Sequence, residues 1–114
     1  MKMVNNENKI STRELKEIPE KMFGNLVKAV VDIKKGIMVI DAELHADEET
    51  LLIKKGSRQE DLWGINLYPE LKGDDFIEFD SMINIRPAQN NRSRSVDDPD
   101  IQKRIKKIVN NLLE

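Results

Sequence analysis

The stretch VIDAELHADEE, residues 39–49, holds the only histidine of the chain, His45, among five acidic residues. Histidine and carboxylate side chains transfer protons in many active sites, and they also bind divalent metal ions. If residues 37–45 remain extended, strand alternation places Asp41, Glu43 and His45 on one face of a sheet. This face is the first candidate for acid/base or metal chemistry, with a solvated strand that runs into a helix as the alternative.

A second group of polar side chains lies in LWGINLYP and FIEFDSMINIRP, which alternation predicts to be strands. Aspartate and asparagine are depleted in strands, because their short polar side chains compete with the backbone for hydrogen bonds. Their recurrence indicates a specific polar network, with an ordinary solvated face, structural hydrogen bonding and turn formation as the alternatives. We predict that one sheet face, left uncovered by helices, carries a binding site formed by Asp41, Glu43, His45, Asn66, Asp80, Asn84, Arg86 and Arg92.

The segment INIRPAQNNRSRS follows the second of these strands as a polar loop. Arg86, Arg92 and Arg94 are suited to bidentate contacts with phosphate or carboxylate, so an anionic ligand is a candidate partner. The residue types alone favour ordinary solvated arginines over an anion-binding loop. A pI of about 5.5, an aromatic content of 4% and the lack of an RNP-type motif argue against RNA binding.

Local signals predict the helices and strands that position these residues. Ser11 and Glu14 have the spacing of a capping box, which predicts the start of a helix. The predicted helix ends at Gly24, and its apolar residues recur at helical spacing: Leu15, Ile18, Met22 and Phe23. Alternation predicts a hairpin over residues 26–44 with Gly36 in its turn. Residues 46–55 are expected to form a short helix with Asp47 as its N-cap, although LLIKK would also fit a strand.

The C-terminal segment predicts a helix that starts at Asp98 as the N-cap and has Pro99 at its first position. Its apolar stripe consists of Ile101, Ile105, Ile108, Val109, Leu112 and Leu113. The predicted fold is α+β, in the order α-β-β-α-β-β-α, with three helices on one face of a four-stranded, mostly antiparallel sheet. Residues 1–10 are expected to be a flexible tail and residues 11–114 a single domain.

Composition excludes several classes of protein. The chain of 114 residues has no cysteine, which rules out disulfides, thiolate metal sites and a cysteine nucleophile and fits a cytoplasmic location. No apolar run is long enough to span a bilayer, and the sequence contains no P-loop, dinucleotide-binding fingerprint or nucleophile elbow. We predict neither a cofactor nor a metal. Residues 41–80 hold four basic and twelve acidic residues, which argues against a nucleic-acid groove across the domain.

In the segments DAELHAD, LWGINLYP and DSMINIRP, the sequence resembles a small prokaryotic family of uncharacterised proteins, a domain of unknown function. The resemblance extends from Val27 to the end of the chain. It implies no assigned activity, cofactor or catalytic residue that could be transferred to this sequence.

These observations favour a ligand- or partner-binding domain that uses the polar sheet face and the loop after Arg86. One alternative is a metal-assisted phosphoester hydrolase, in which His45 transfers protons and Arg86 stabilises anionic charge. The metal ligands in this alternative are Asp41, Glu43 and Asp80. Another alternative is an interaction module that assembles through a sheet edge.

Overall fold

The computed structural model describes residues 1–19 and 25–114. Within these residues, five antiparallel strands form one sheet, and three α-helices accompany it. The strands are β1 (Lys2–Val4), β2 (Val27–Asp32), β3 (Ile37–Ile40), β4 (Leu62–Leu67) and β5 (Ile77–Glu78). The helices are α1 (Thr12–Glu17), α2 (His45–Lys54) and α3 (Pro99–Leu112). The predicted α+β class is confirmed.

The sheet has the order β1-β3-β2-β4-β5, with β2 at its centre. The predicted hairpin joins β2 to β3, and Gly36 takes a positive φ of 69° in its turn. The Asp32 carboxylate accepts hydrogen bonds from the amides of Lys34 and Lys35, both at 2.9 Å. A short aspartate side chain at the end of β2 therefore fixes the turn that glycine permits.

The sheet has five strands and not the predicted four, because β1 pairs with β3 at its edge. Lys2 lies opposite Ile40, and Val4 lies opposite Met38. The predicted element order is wrong for this reason, since the chain begins with a strand inside the segment expected to be a tail. Three residues are too few for a period-two pattern to be recognised.

Helices cover both faces of the sheet, so the predicted placement of all helices on one face is wrong. Val31 packs in a cluster with residues of α1 and α3, whereas Val30 packs with Leu52 of α2. Successive strand residues point to opposite faces, so the adjacent Val30 and Val31 belong to two separate cores. Consecutive apolar residues in β2 are the sequence signal of a strand buried on both sides.

The segment predicted as the clearest strand, residues 76–87, is extended only at Ile77–Glu78. A 3₁₀ turn follows at Met82–Asn84, where the Ser81 hydroxyl accepts a hydrogen bond from the Ile83 amide. The Ser81 amide donates to the Arg94 carbonyl at 3.0 Å. Contacts with a distant loop therefore outweigh the local alternation of apolar residues.

Two of the predicted helix starts are confirmed. Ser11 accepts from the Glu14 amide at 3.1 Å, and Asp98 accepts from the Asp100 amide at 2.8 Å with Pro99 at the first helical position. At α2 the N-cap is Leu44, so the prediction of Asp47 is wrong. The predicted apolar positions and helix stop at residues 22–24 lie outside the described residues.

Candidate functional site

The first predicted face does not form, because β3 ends before it. Asp41 has a left-handed φ of 68°, which turns the backbone out of the strand immediately after Ile40. Glu43 is exposed, and His45 is the first residue of α2. The three candidates therefore do not share a strand face, and the prediction that they do is wrong.

His45 is buried and connects α2 to β4. Its Nε2 lies 2.7 Å from the carbonyl oxygen of Ile65, to which a neutral imidazole donates when Nε2 carries the proton. Burial lowers the pKa of His45 below 6.5, and the nearby charges of Lys28 and Arg94 lower it further. The Ile65 carbonyl and the Asp80 carboxylate oppose this shift. The ring is therefore neutral at physiological pH, with Nδ1 as its acceptor.

Asn66 and Asp80 do come together, in a polar network at the β4–β5 end of the sheet. Asn66 Nδ2 donates to the Glu78 carboxylate at 2.8 Å and to the Asp80 carbonyl at 3.3 Å. The Glu78 carboxylate also accepts from the Tyr68 hydroxyl at 3.0 Å, and the Asp80 carboxylate accepts from Arg94 Nε at 2.6 Å. Most polar groups of this network are thus occupied by one another.

Glu48, which the sequence did not identify as a candidate, is fully buried beneath α2. Neither carboxyl oxygen has a hydrogen-bond partner within residues 1–19 and 25–114. Burial raises the pKa of Glu48 to about 10, although the nearby backbone of Ala42 and the charge of Lys28 lower it. The carboxyl group is therefore protonated at neutral pH. Its three-residue spacing from the buried His45 was the available signal, since such residues share a helix face.

The remaining candidates are not available to a ligand or do not converge with the others. Asn84 is buried and bonds the backbone of Gly64. The Arg86 guanidinium lies 4.2 Å from the Trp63 ring centroid and donates to the carbonyls of Gln59 and Leu62. Arg92 is exposed, and its amide donates to the Asp97 carboxylate. The loop after Arg86 therefore uses its polar groups mainly to hold itself in place.

The described part of the chain contains no group of three or more His, Cys, Asp or Glu residues arranged to hold a metal ion. It also contains no helix long and apolar enough to cross a membrane.

A cleft of about 480 Å³ lies between α1, α3 and the segment after β4. Its apolar floor consists of buried, half-buried and, at one edge, exposed residues: Leu15, Pro69, Leu71, Phe76, Ile77 and Leu113. Its polar rim consists of Thr12, Lys16, Glu70, Lys72, Asp74, Lys106 and Asn110. Sequence reasoning missed this cleft. The available signal was Leu71, an apolar residue in a polar turn that remains 47% exposed.

Backbone hydrogen bonds frame the cleft on two sides. The Ile10 amide donates to the Leu112 carbonyl at 3.1 Å, and the Glu114 amide donates to the Ile10 carbonyl at 2.9 Å. These bonds join the start of α1 to the end of α3. On the other side, the Tyr68 amide donates to the Phe76 carbonyl at 2.9 Å and closes the loop that presents Leu71. The cleft is therefore preformed by bonded segments.

The polar rim carries three lysines and two carboxylates, a net charge of +1, whereas the whole chain carries −2. Lys106 Nζ lies 3.7 Å from the Asp74 carboxylate, whose side chain is fully exposed. Solvent-exposed ion pairs of this kind are weak. Lys106 is therefore able to exchange this partner for a bound group.

Residues 4–112 match the family described as Protein of unknown function (DUF5674). No curated protein and no solved structure matches the chain.

Proposed function

This chain belongs to the DUF5674 family, and we propose that it is a binding protein whose small-molecule ligand occupies the cleft between α1 and α3. The observation that carries the proposal is the combination of an apolar floor and a polar rim in one preformed cleft. The expectation of a ligand-binding domain is thus kept, but the site moves away from the polar sheet face.

The size and lining of the cleft support this proposal. Ligand pockets in proteins commonly enclose about 300 to 1,000 Å³, with mostly apolar walls and a few polar groups that orient the ligand. The cleft measures about 480 Å³ and has six apolar lining residues. Leu71 remains 47% exposed at its edge, so a ligand that covered it would remove apolar surface from water.

The two alternatives have less support. In the hydrolase hypothesis, Asp41, Glu43 and Asp80 would have to converge on a metal, yet Glu43 is exposed and the Asp80 carboxylate is bonded to Arg94. Assembly through a sheet edge would use β1 or β5, which contain three and two residues. Such short edge strands offer few backbone groups to a partner. We also propose a cytoplasmic location, because a cysteine-free chain fits a reducing compartment.

The test uses N-phenyl-1-naphthylamine, a neutral dye whose fluorescence rises in apolar surroundings. Its emission should increase on titration with the protein. In a parallel NMR titration, the largest amide shifts should occur at Thr12, Gly73 and Asn110, all of which line the cleft. Shifts centred elsewhere, or no binding, would contradict the proposal.

A matched pair of variants makes the test specific. Leu71→Gln should weaken dye binding about fivefold or more, because it replaces apolar contact area with a polar group. Leu44→Gln is the control, since Leu44 is also an exposed leucine, at 55%, but does not line the cleft. Equal losses in the two variants would indicate non-specific binding to exposed apolar surface.

A further inference from the structure

We infer that the ligand of this cleft is an anionic amphiphile, a molecule that joins an apolar chain or ring to a carboxylate or phosphate head. This inference rests on the proposed function and adds the chemical class of the ligand. It depends on three lysines that line the same cleft as the apolar floor.

The floor of the cleft is continuous with the main core of the protein. Leu15 and Ile77 belong to that core, while Phe76 and Leu113 pack against it and remain partly exposed. An alkyl chain or aromatic ring placed on these residues would extend the core outward. The apolar part of the ligand therefore has a defined surface on which to pack.

Lys106 is the best placed of the cations. Its side chain is 40% exposed, and its ammonium group lies 3.7 Å from the Asp74 carboxylate and 5.9 Å from the Phe79 ring centroid. An ammonium group has three donors, and within the described residues that of Lys106 makes no hydrogen bond. It is held at the cleft by weak contacts, with donors free for an anion.

The other two lysines approach from different elements. Lys16 belongs to α1, and Lys72 belongs to the loop after β4, so the three lysines that line the cleft come from three different elements. Glu70 and Asp74 on the same rim are fewer than the lysines, which leaves the rim with a net charge of +1. A cationic head would meet net repulsion here, and a neutral head would accept hydrogen bonds from the lysines but gain no attraction between opposite charges. An anionic head is the class that this rim favours.

The experiment compares four molecules that share an eight-carbon chain: octanoate, octyl phosphate, octanol and octylammonium. Each is titrated below its aggregation concentration by NMR and calorimetry at pH 7.5. We expect both anions to bind about three to five times more tightly than octanol, which is the range that a surface-exposed ion pair contributes. Octylammonium should bind most weakly of the four. The ratio between octanoate and octyl phosphate identifies the preferred head, and added salt should reduce the advantage of both anions.

Two neighbouring lysines of α3 provide the variants. Lys106→Gln should lower the ratio of octanoate to octanol affinity towards one, because it removes one of the three rim lysines and brings the net charge of the rim from +1 to zero. Lys107→Gln should keep the wild-type ratio, since Lys107 is exposed and does not line the cleft.

The outcomes separate the inference from the proposed function. Octanol or octylammonium binding in the cleft as tightly as octanoate would overturn the anionic class and leave the cleft as a binding site. An equal effect of both lysine variants would show that only the overall charge matters, and it would also overturn the inference. Failure of all four molecules and of the neutral dye to bind would overturn both.

Discussion

The side chain of Asn84 pairs with the backbone of Gly64 as a neighbouring strand would. Its Oδ1 accepts from the Gly64 amide at 2.8 Å, and its Nδ2 donates to the Gly64 carbonyl at 2.9 Å. The same Nδ2 donates to the Arg94 carbonyl at 3.0 Å. Because β5 pairs only with Asn66 and Leu67, the amide of Asn84 satisfies the part of β4 that β5 does not reach.

Replacement of Asn84 should destabilise the protein strongly. Asn84→Ala would leave the buried amide and carbonyl of Gly64 without partners, at a cost of about 2 to 4 kcal/mol in the free energy of unfolding. Urea denaturation followed by the fluorescence of Trp63 measures this loss. Asn111→Ala is the control, because Asn111 is exposed and its side chain bonds only to the Asn6 side chain within the described residues. Similar losses in both variants would argue against the strand-like role of Asn84.

Gly64 is required by the close approach of Ser81. A Cβ at this position would lie 2.6 Å from both Cβ and Oγ of Ser81 and 3.1 Å from Cγ1 of Ile83. Gly64→Ala should therefore lower the free energy of unfolding by about 1 to 3 kcal/mol. Adding Ser81→Gly should recover part of this loss in a double-mutant cycle. Strict additivity of the two changes would show that the contact does not limit the position.

Arg86→Lys should destabilise the protein although the charge is conserved. A lysine cannot donate to the carbonyls of Gln59 and Leu62 in the same fork, and it stacks less well on Trp63. We expect a loss of about 1 to 2 kcal/mol and a change in the fluorescence of Trp63. Arg92→Lys, at an exposed arginine of the same loop, should change neither. Equal behaviour of the two variants would refute the proposed role of the guanidinium.

The depressed pKa of His45 predicts a loss of stability in mild acid. As the pH falls, the unfolded chain takes up a proton near pH 6.5, whereas the buried ring does so only at lower pH. The contribution of His45 to stability is therefore complete above pH 6.5 and declines below it. An NMR titration of this sole histidine measures the pKa directly. Urea denaturation of His45→Gln at pH 7.5 and 5.0 should show a weaker pH dependence than the wild type.

The raised pKa of Glu48 predicts a loss of stability as the pH rises, which is opposite to the effect of His45. Its pKa is raised from 4.5 to about 10, so the folded chain holds a proton that the unfolded chain releases. Stability from this group is complete below pH 4.5 and declines as the pH rises towards 10, by at most about 1.4 kcal/mol per pH unit. Glu48→Gln should flatten this slope between pH 6 and 9, as followed by urea denaturation. The exposed Glu43→Gln should keep it.

The sequence by itself determined the local features of this protein. The caps at Ser11 and Asp98 and the turn at Gly36 depend on residues within four positions of each other, so their patterns are readable from a short window. The α3 stripe is equally local, since Ile105 and Val109 recur at helical spacing and are buried as predicted. The capacity of Asn66 and Asp80 to join a polar network was also visible.

Only the tertiary structure decided which polar residues remain available. Asn84 and Arg86 are bonded to groups twenty or more positions away, at Gly64 and Gln59, and no local pattern records such partners. The cleft likewise exists only where the end of α3 meets the start of α1 at Ile10. Strand alternation sorts side chains between faces, but packing decides whether a face is covered, because the burial of apolar area is a property of the whole chain.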